Sequence, residues 1–178
     1  IIDTAIRISS LKNTYDKFDN LVRSENFFID INDKIKKEKI KTTVYYQNSK
    51  QKEKEFTTFL LADDLLIGDY KIFHENGKVQ VSGKLFDPYE VGINKYVGNL
   101  KDGEWKWYDN NGNLEYTEKY KVQVVYWDNG NIKFIYSLFF DDSKNVWLKH
   151  GRFYRYDSDG FPSSDVLIYK WGVLEDED

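Results

Sequence analysis

The chain reads as all-β, an elongated antiparallel meander of about six repeated β-hairpins, and three observations carry that reading. Aromatic residues make up 17% of a sequence whose charged fraction is 31% and whose mean hydropathy is -0.68. Flat, amphipathic side chains among many charges suit a sheet that is apolar on one face and wet on the other. Apolar and polar residues alternate at period two over long stretches. A polar turn, bearing glycine in four of its copies, recurs with an aromatic four residues earlier.

Residues 105–120, WKWYDNNGNLEYTEKY, show the unit. Leu114, Tyr116, Glu118 and Tyr120 share one face, and Glu115, Thr117 and Lys119 the other. Before the break, Trp105 and Trp107 lie together and Tyr108 points away. The Asn111-Gly112 pair predicts a type I′ turn, with positive φ at both central positions. Counting back four residues from each turn glycine gives Phe73 before Gly77, Tyr108 before Gly112, Tyr126 before Gly130 and Tyr156 before Gly160. These four glycines are the expected structural turns. Two copies lack the glycine: Tyr45 precedes Ser49, and Tyr15 precedes Asp19. A Gly-x-aromatic pair opens three copies, at Gly68-Asp69-Tyr70, Gly103-Glu104-Trp105 and Gly151-Arg152-Phe153.

The run Gly-x-Trp-x-x-Tyr-x-x-Asn-Gly-x-Leu, followed by an alternating strand, resembles the bacterial variant of the MORN repeat. The resemblance is clearest over residues 68–120, fades over 121–170 and is weakest over 1–60. Proteins built from this repeat are often grouped as antitoxin-like components of toxin–antitoxin systems, so the resemblance implies an antitoxin- or immunity-like partner role. The expected organisation is degenerate repeats over 1–60 and one continuous repeat domain over 61–178, with an insert at 141–149 lengthening one connection.

The first third has two readings. Residues 27–46 form either a strand, a turn at Asn32-Asp33 and a second strand, or a short helix over 33–41 capped by Asn32. The β-branched and aromatic run Thr42-Thr43-Val44-Tyr45-Tyr46 favours strands. Lys34, Lys36, Lys37, Lys39 and Lys41 would then guard an exposed edge against pairing with other chains.

Composition narrows the functional classes. With 26 basic and 30 acidic residues the net charge is -4, which argues against a phosphate-backbone binder, so no nucleic-acid partner is expected. No cysteine is present, which excludes disulfides and thiolate chemistry. No apolar run approaches the roughly 20 residues of a spanning helix. The chain opens Ile1-Ile2-Asp3 without methionine. Read as a trimmed product, it is placed in the cell envelope or outside the cell rather than in the cytoplasm.

Chemistry is hard to assemble from these residues, and no enzyme, cofactor or metal site is expected. The two histidines, His74 and His150, flank turns and read as solvated. Asp63-Asp64 and Asp141-Asp142 are adjacent pairs that point to opposite faces of a strand, and read as solvated loop residues. Asp157-Ser158-Asp159-Gly160 has the look of half a calcium loop but lacks the later acceptors and the bidentate Glu. The tail Glu175-Asp176-Glu177-Asp178 reads as a solubilising end.

The aromatics carry the sharper expectation. Trp105 and Trp107 sit at repeat-determined positions and read as core. Trp127, beside a turn, and Trp147, in the 141–149 insert, are the expected partner-binding residues together with Tyr126 and Tyr154. The expected function is recognition of another protein by an extended repeat surface; the alternative is a cell-envelope module that binds glycan on an aromatic face.

Overall fold

The computed structural model describes residues 6–17, 20–30, 38–47, 49–59 and 62–175. They form one antiparallel sheet of twelve strands that neighbour one another in chain order. The strands are β1 (Ile6–Tyr15), β2 (Leu21–Asp30), β3 (Glu38–Tyr45), β4 (Lys52–Phe59), β5 (Ala62–Phe73) and β6 (Val79–Leu85), then β7 (Lys101–Tyr108), β8 (Leu114–Tyr126), β9 (Ile132–Asp141), β10 (Val146–Arg155), β11 (Leu167–Lys170) and β12 (Val173–Leu174). Among the described residues there is no helix, and so none long and apolar enough to cross a membrane.

One loop design recurs through the sheet. The residue after each repeat aromatic donates its backbone N–H four residues on, as Asp16 to Asn20, His74 to Lys78, Asp109 to Asn113, Trp127 to Asn131 and Asp157 to Phe161. Tyr46 reaches Gln51, one residue further. The glycine N–H returns to the carbonyl of the loop's first residue, Gly112 to Asp109 at 2.9 Å for example. Gly77, Gly112, Gly130 and Gly160 have φ of 83, 83, 85 and 86°, where a Cβ would be strained.

This overturns the type I′ expectation. Asn111 does not have positive φ; Gly112 alone does, as the fourth residue of a type I turn. The deciding residue is Asp109. Its Oδ1 accepts the N–H groups of Asn111 and Asn113, both at 2.8 Å, the Asx geometry that builds this turn. Hydrogen bonds, first from the Asn113 side chain, hold the Asp109 carboxyl below the usual carboxylate range.

The uneven spacing of the repeats has a geometric cause. Gly77 and Gly112 are 35 residues apart, one hairpin and its connections, but Gly112 and Gly130 are only 18 apart, which is one strand. The loops opened by Asp16, Tyr46, His74 and Asp109 therefore share one end of the sheet, while those opened by Trp127 and Asp157 lie at the other. At each end, loop-opening side chains bond to the next repeat. The Tyr46 hydroxyl donates to the Phe73 carbonyl at 2.6 Å, His74 Nε2 to that of Tyr108 at 2.9 Å, and Trp127 Nε1 to that of Tyr156 at 3.2 Å.

The long connection is not where the sequence places it. Residues 141–145 make a short turn, in which Asp141 Oδ1 accepts from Ser143 and Lys144 and Asn145 takes φ of 55°. The excursion is instead 86–100, between β6 and β7, closed at its base by Phe86 N–H to Leu100 O at 2.8 Å. Phe86, Ile93, Val97 and Leu100 pack with Ile135, Tyr154 and Tyr156 to form one core cluster. The register aligns Val122 with Ser137, Val124 with Ile135, and Ile135 with Tyr154, so the excursion covers one face of β8–β10. Tyr154 donates its hydroxyl to Gly98 O at 2.8 Å, and Lys95 reaches Gly160 O at 2.6 Å.

The lysine-guarded edge is also corrected. β3 is paired on both sides, with β2 and with β4, and so presents no edge. Lys39 makes a 2.6 Å ion pair with the buried Asp87 of the excursion. Of the alternative helix over 33–41, residues 38–41 lie in β3; the rest, with Asn32, Lys34, Lys36 and Lys37, and Asp19 of the first copy, fall outside the described residues. Asp63 and Asp64 lie in β5 rather than in a loop.

Candidate functional site: an aromatic groove and a lysine-capped strip

Two aromatic surfaces occupy opposite faces of the sheet around β8. On the face shared with the excursion, the register aligns Val81 with Trp107, Trp107 with Tyr116, and Tyr120 with Phe139. Trp107 and Tyr116 stack with ring centroids 4.9 Å apart. Trp105 is buried, at 4% exposure, because of the bulge at Gly103, whose φ is 69°. The bulge lays the indole over Gly83, and Nε1 donates to Lys84 O at 3.0 Å. A Cβ on Gly83 would meet that ring at 2.3 Å.

Where the excursion ends, this face opens into a groove of about 360 Å³, lined by Leu66, Tyr70, Ile72, Val81, Leu85 and Trp107 among others. Among the described residues, Lys101 is the one charged residue in its wall. The ammonium lies 4.7, 5.0 and 4.6 Å from the ring centres of Trp105, Trp107 and Tyr120. It donates to the Tyr120 hydroxyl at 3.0 Å, and that hydroxyl donates to Glu118 at 2.7 Å. Glu118 itself stands 3.6 Å from the ammonium. Burial holds the Lys101 amine below its usual range, and Glu118 only partly offsets the effect. Burial also raises Tyr120, with the hydrogen bond to Glu118 acting in the same direction.

Beyond Tyr120 the cluster continues to His150. This residue is not a solvated turn histidine: it lies in β10, half-buried against Tyr120, Phe139 and Trp171, with the Trp171 ring centre 4.5 Å away. Its Nδ1 is buried without a hydrogen-bond partner. Burial, then the Lys101 charge, hold its pKa below the ordinary 6.5. Trp171 and Gly172, with φ of 51 and 87°, make the type I′ pair that the sequence suggested elsewhere.

On the opposite face, the register aligns Lys121 with Leu138, Gln123 with Tyr136, Phe140 with Trp147, and Tyr136 with Phe153. Phe134, Tyr136, Phe153 and Tyr169 run ring to ring, with separations from 4.7 to 5.6 Å, and Phe140 packs on Trp147 at 5.0 Å. Lysines lie over them: Lys121 is 4.1 Å from the Trp147 centre, and Lys149 is 4.7 Å from that of Phe153. Each such contact contributes about 0.5–1 kcal/mol at an exposed site.

The four residues expected to bind a partner are not brought together. Trp147 stands in β10 rather than in an inserted loop, 38% exposed on the lysine-capped strip. Tyr126 is exposed at the end of β8, and Trp127 beside it is occupied by its bond to Tyr156 O and by Lys133, 4.0 Å from its ring. Tyr154 is buried under the excursion and serves as a strut to Gly98. The groove around Lys101 was missed from sequence; its signal is the cross-strand set Trp105, Trp107, Tyr116 and Tyr120, of which Trp105 and Trp107 were read as core. Among the described residues no group of three or more His, Asp or Glu side chains is placed to hold a metal ion, and the Asp157 carboxylate is used by its own turn, accepting from Asp159 and Phe161.

No curated protein and no solved structure matches the chain. The model of one family, described as a MORN repeat variant, matches residues 66–85 and 101–121. Those segments are the second half of β5 with β6, and β7 with the first part of β8, the two hairpins flanking the 86–100 excursion. The chain thus contains two copies of the MORN repeat variant within a longer sheet of the same hairpin design.

Proposed function

We propose that this chain is a non-enzymatic recognition module that captures another protein across the lysine-capped strip of its repeat sheet, in the antitoxin- or immunity-like role that the repeat resemblance suggests. The observation that carries the reading is Trp147: a large ring, 38% exposed, on a strand rather than a loop, packed on Phe140 of the same face. Rigid aromatic anchors on regular elements lose little conformational freedom on binding and dominate protein interfaces. A glycan face is less well supported, because a sugar ring would have to displace Lys121 from the Trp147 face it covers.

The test is affinity capture from the source cell with the wild-type chain, Trp147→Ala and Trp127→Ala, read by mass spectrometry. We expect one protein recovered at near-equal amount by the wild type and Trp127→Ala and lost with Trp147→Ala, while circular dichroism is unchanged. Equal recovery by Trp147→Ala overturns the assignment of the strip.

A further inference from the structure

The groove on the other face has a composition that the recognition role does not use. Its wall is aliphatic and aromatic from β5, β6 and β7, and one end is closed by Asn99 of the excursion. The Asn99 amide is tied to β5 there, accepting from Leu66 N–H at 3.0 Å and donating to Asp64 O at 2.9 Å. Tyr70 and Trp107 add only neutral groups, so the charged group of the lining is the Lys101 ammonium. Of its three N–H groups, one is given to the Tyr120 hydroxyl. The neighbouring carboxylate oxygen of Glu118 is itself hydrogen-bonded by Tyr120 and stands off at 3.6 Å. The cation is thus largely removed from water, 28% exposed, against only a loose ion pair with Glu118 beside it on the same face, and no acidic residue is among the described residues that line the groove.

We infer that the groove is a binding site for a small apolar monocarboxylate, whose hydrocarbon or aryl part lies against Leu66, Ile72, Val81 and Trp107 and whose carboxylate pairs with Lys101. The volume falls at the lower end of the range for small-molecule sites. A lone ammonium without an arginine fork matches one singly charged group rather than a phosphate dianion, and a charge-assisted bond in a poorly solvated site is stronger than its neutral counterpart. A cationic ligand is disfavoured because the position over Trp105, Trp107 and Tyr120 is already filled by Lys101.

The test uses three probes of one shape: 4-phenylbutyrate, its primary amide and 4-phenylbutylamine. Binding is followed by tryptophan fluorescence and by the indole N–H signals of Trp105 and Trp107 in heteronuclear NMR. The acid is expected to bind roughly tenfold or more tightly than the amide, with the amine weakest and the Trp107 signal shifted. Lys101→Gln should bring the acid down to the level of the amide. Equal affinity of wild type for acid and amide, tightest binding of the amine, or no binding of the acid would each overturn the inference. These three comparisons need no variant, so they hold even if Lys101→Gln fails to fold.

Discussion

Gly83→Ala is a sensitive test of how the groove face is built, because two effects of opposite sign meet there. Gly83 is paired with Tyr70 inside the sheet and does not have positive φ, so alanine suits the backbone and should gain about 0.4–1 kcal/mol by restricting the unfolded chain. Against this, the new Cβ would lie 2.3–2.6 Å from three atoms of the Trp105 indole. The ring cannot retreat easily. It is 4% exposed, tied by Nε1 to Lys84 O, and bounded by Tyr70, Trp107 and Tyr120 at centroid distances of 5.6, 6.3 and 6.4 Å. Overpacking of this kind costs about 1–3 kcal/mol, and a displaced indole forfeits a hydrogen bond of about 1 kcal/mol. The net is a loss of about 2 kcal/mol, or a Tm lower by roughly 4–8 °C for a chain of this size. Thermal unfolding by circular dichroism measures it. In a Trp105→Ala background, itself destabilised, the same Gly83→Ala change should be neutral or stabilising. A single mutant with unchanged Tm, or one equally harmful with and without Trp105, would refute the claim that the missing Cβ exists to seat this ring.

Two further perturbations follow from the same geometry. Gly112→Val places a β-branched residue at φ of 83° and should destabilise by about 2 kcal/mol; a chemical-denaturation midpoint equal to wild type would refute the αL turn. His150 is held below 6.5 in the fold, whereas the unfolded chain protonates near 6.5. Its effect is absent above that pH, and stability is lost as pH falls from 6.5 through the folded value, because only the unfolded state then takes up the proton. His150→Phe should flatten the Tm profile between pH 6.5 and 5 relative to wild type; parallel profiles would show that His150 does not titrate as its surroundings require.

The hairpins were legible because everything that makes them is local. An aromatic and a loop-opening residue at fixed spacing, with a glycine in four of the copies, specify the turn, so Tyr15, Phe73, Tyr108, Tyr126 and Tyr156 each pair with the residue six further on. The turn type was misread because Asn-Gly suits two turn families, and Asp109, two residues before the pair, chooses between them. What joins distant segments was not legible. The 86–100 excursion has no period to reveal it, and its anchors lie 48 and 56 residues away, at Lys39 and Tyr154. Lys39 therefore looked like one of a run of surface lysines, and Tyr154 like an exposed repeat aromatic. The groove failed for a related reason: Trp105 and Trp107 read as equivalent core residues, yet both line the groove and only Trp105 is buried.

The 18-residue step between Gly112 and Gly130 matters most for function. It makes β8 the second strand of one repeat and the first of the next, so its 13 residues carry both surfaces at once. Glu118 and Tyr120 lie on the groove's face of the sheet, beside Lys101 but outside the groove's lining; Lys119 and Lys121 face the strip. Strict alternation keeps the two apart, because a strand cannot present one side chain to both faces. A partner seated on Trp147 would leave Lys101 open, and a carboxylate in the groove would leave the strip uncovered. Coupling between them would have to pass through the backbone of β8 and through the cross-strand contact of Tyr120 with Phe139. That contact lies one residue from Phe140, the ring on which Trp147 rests. The same register that separates the surfaces chemically therefore also sets a physical path between them.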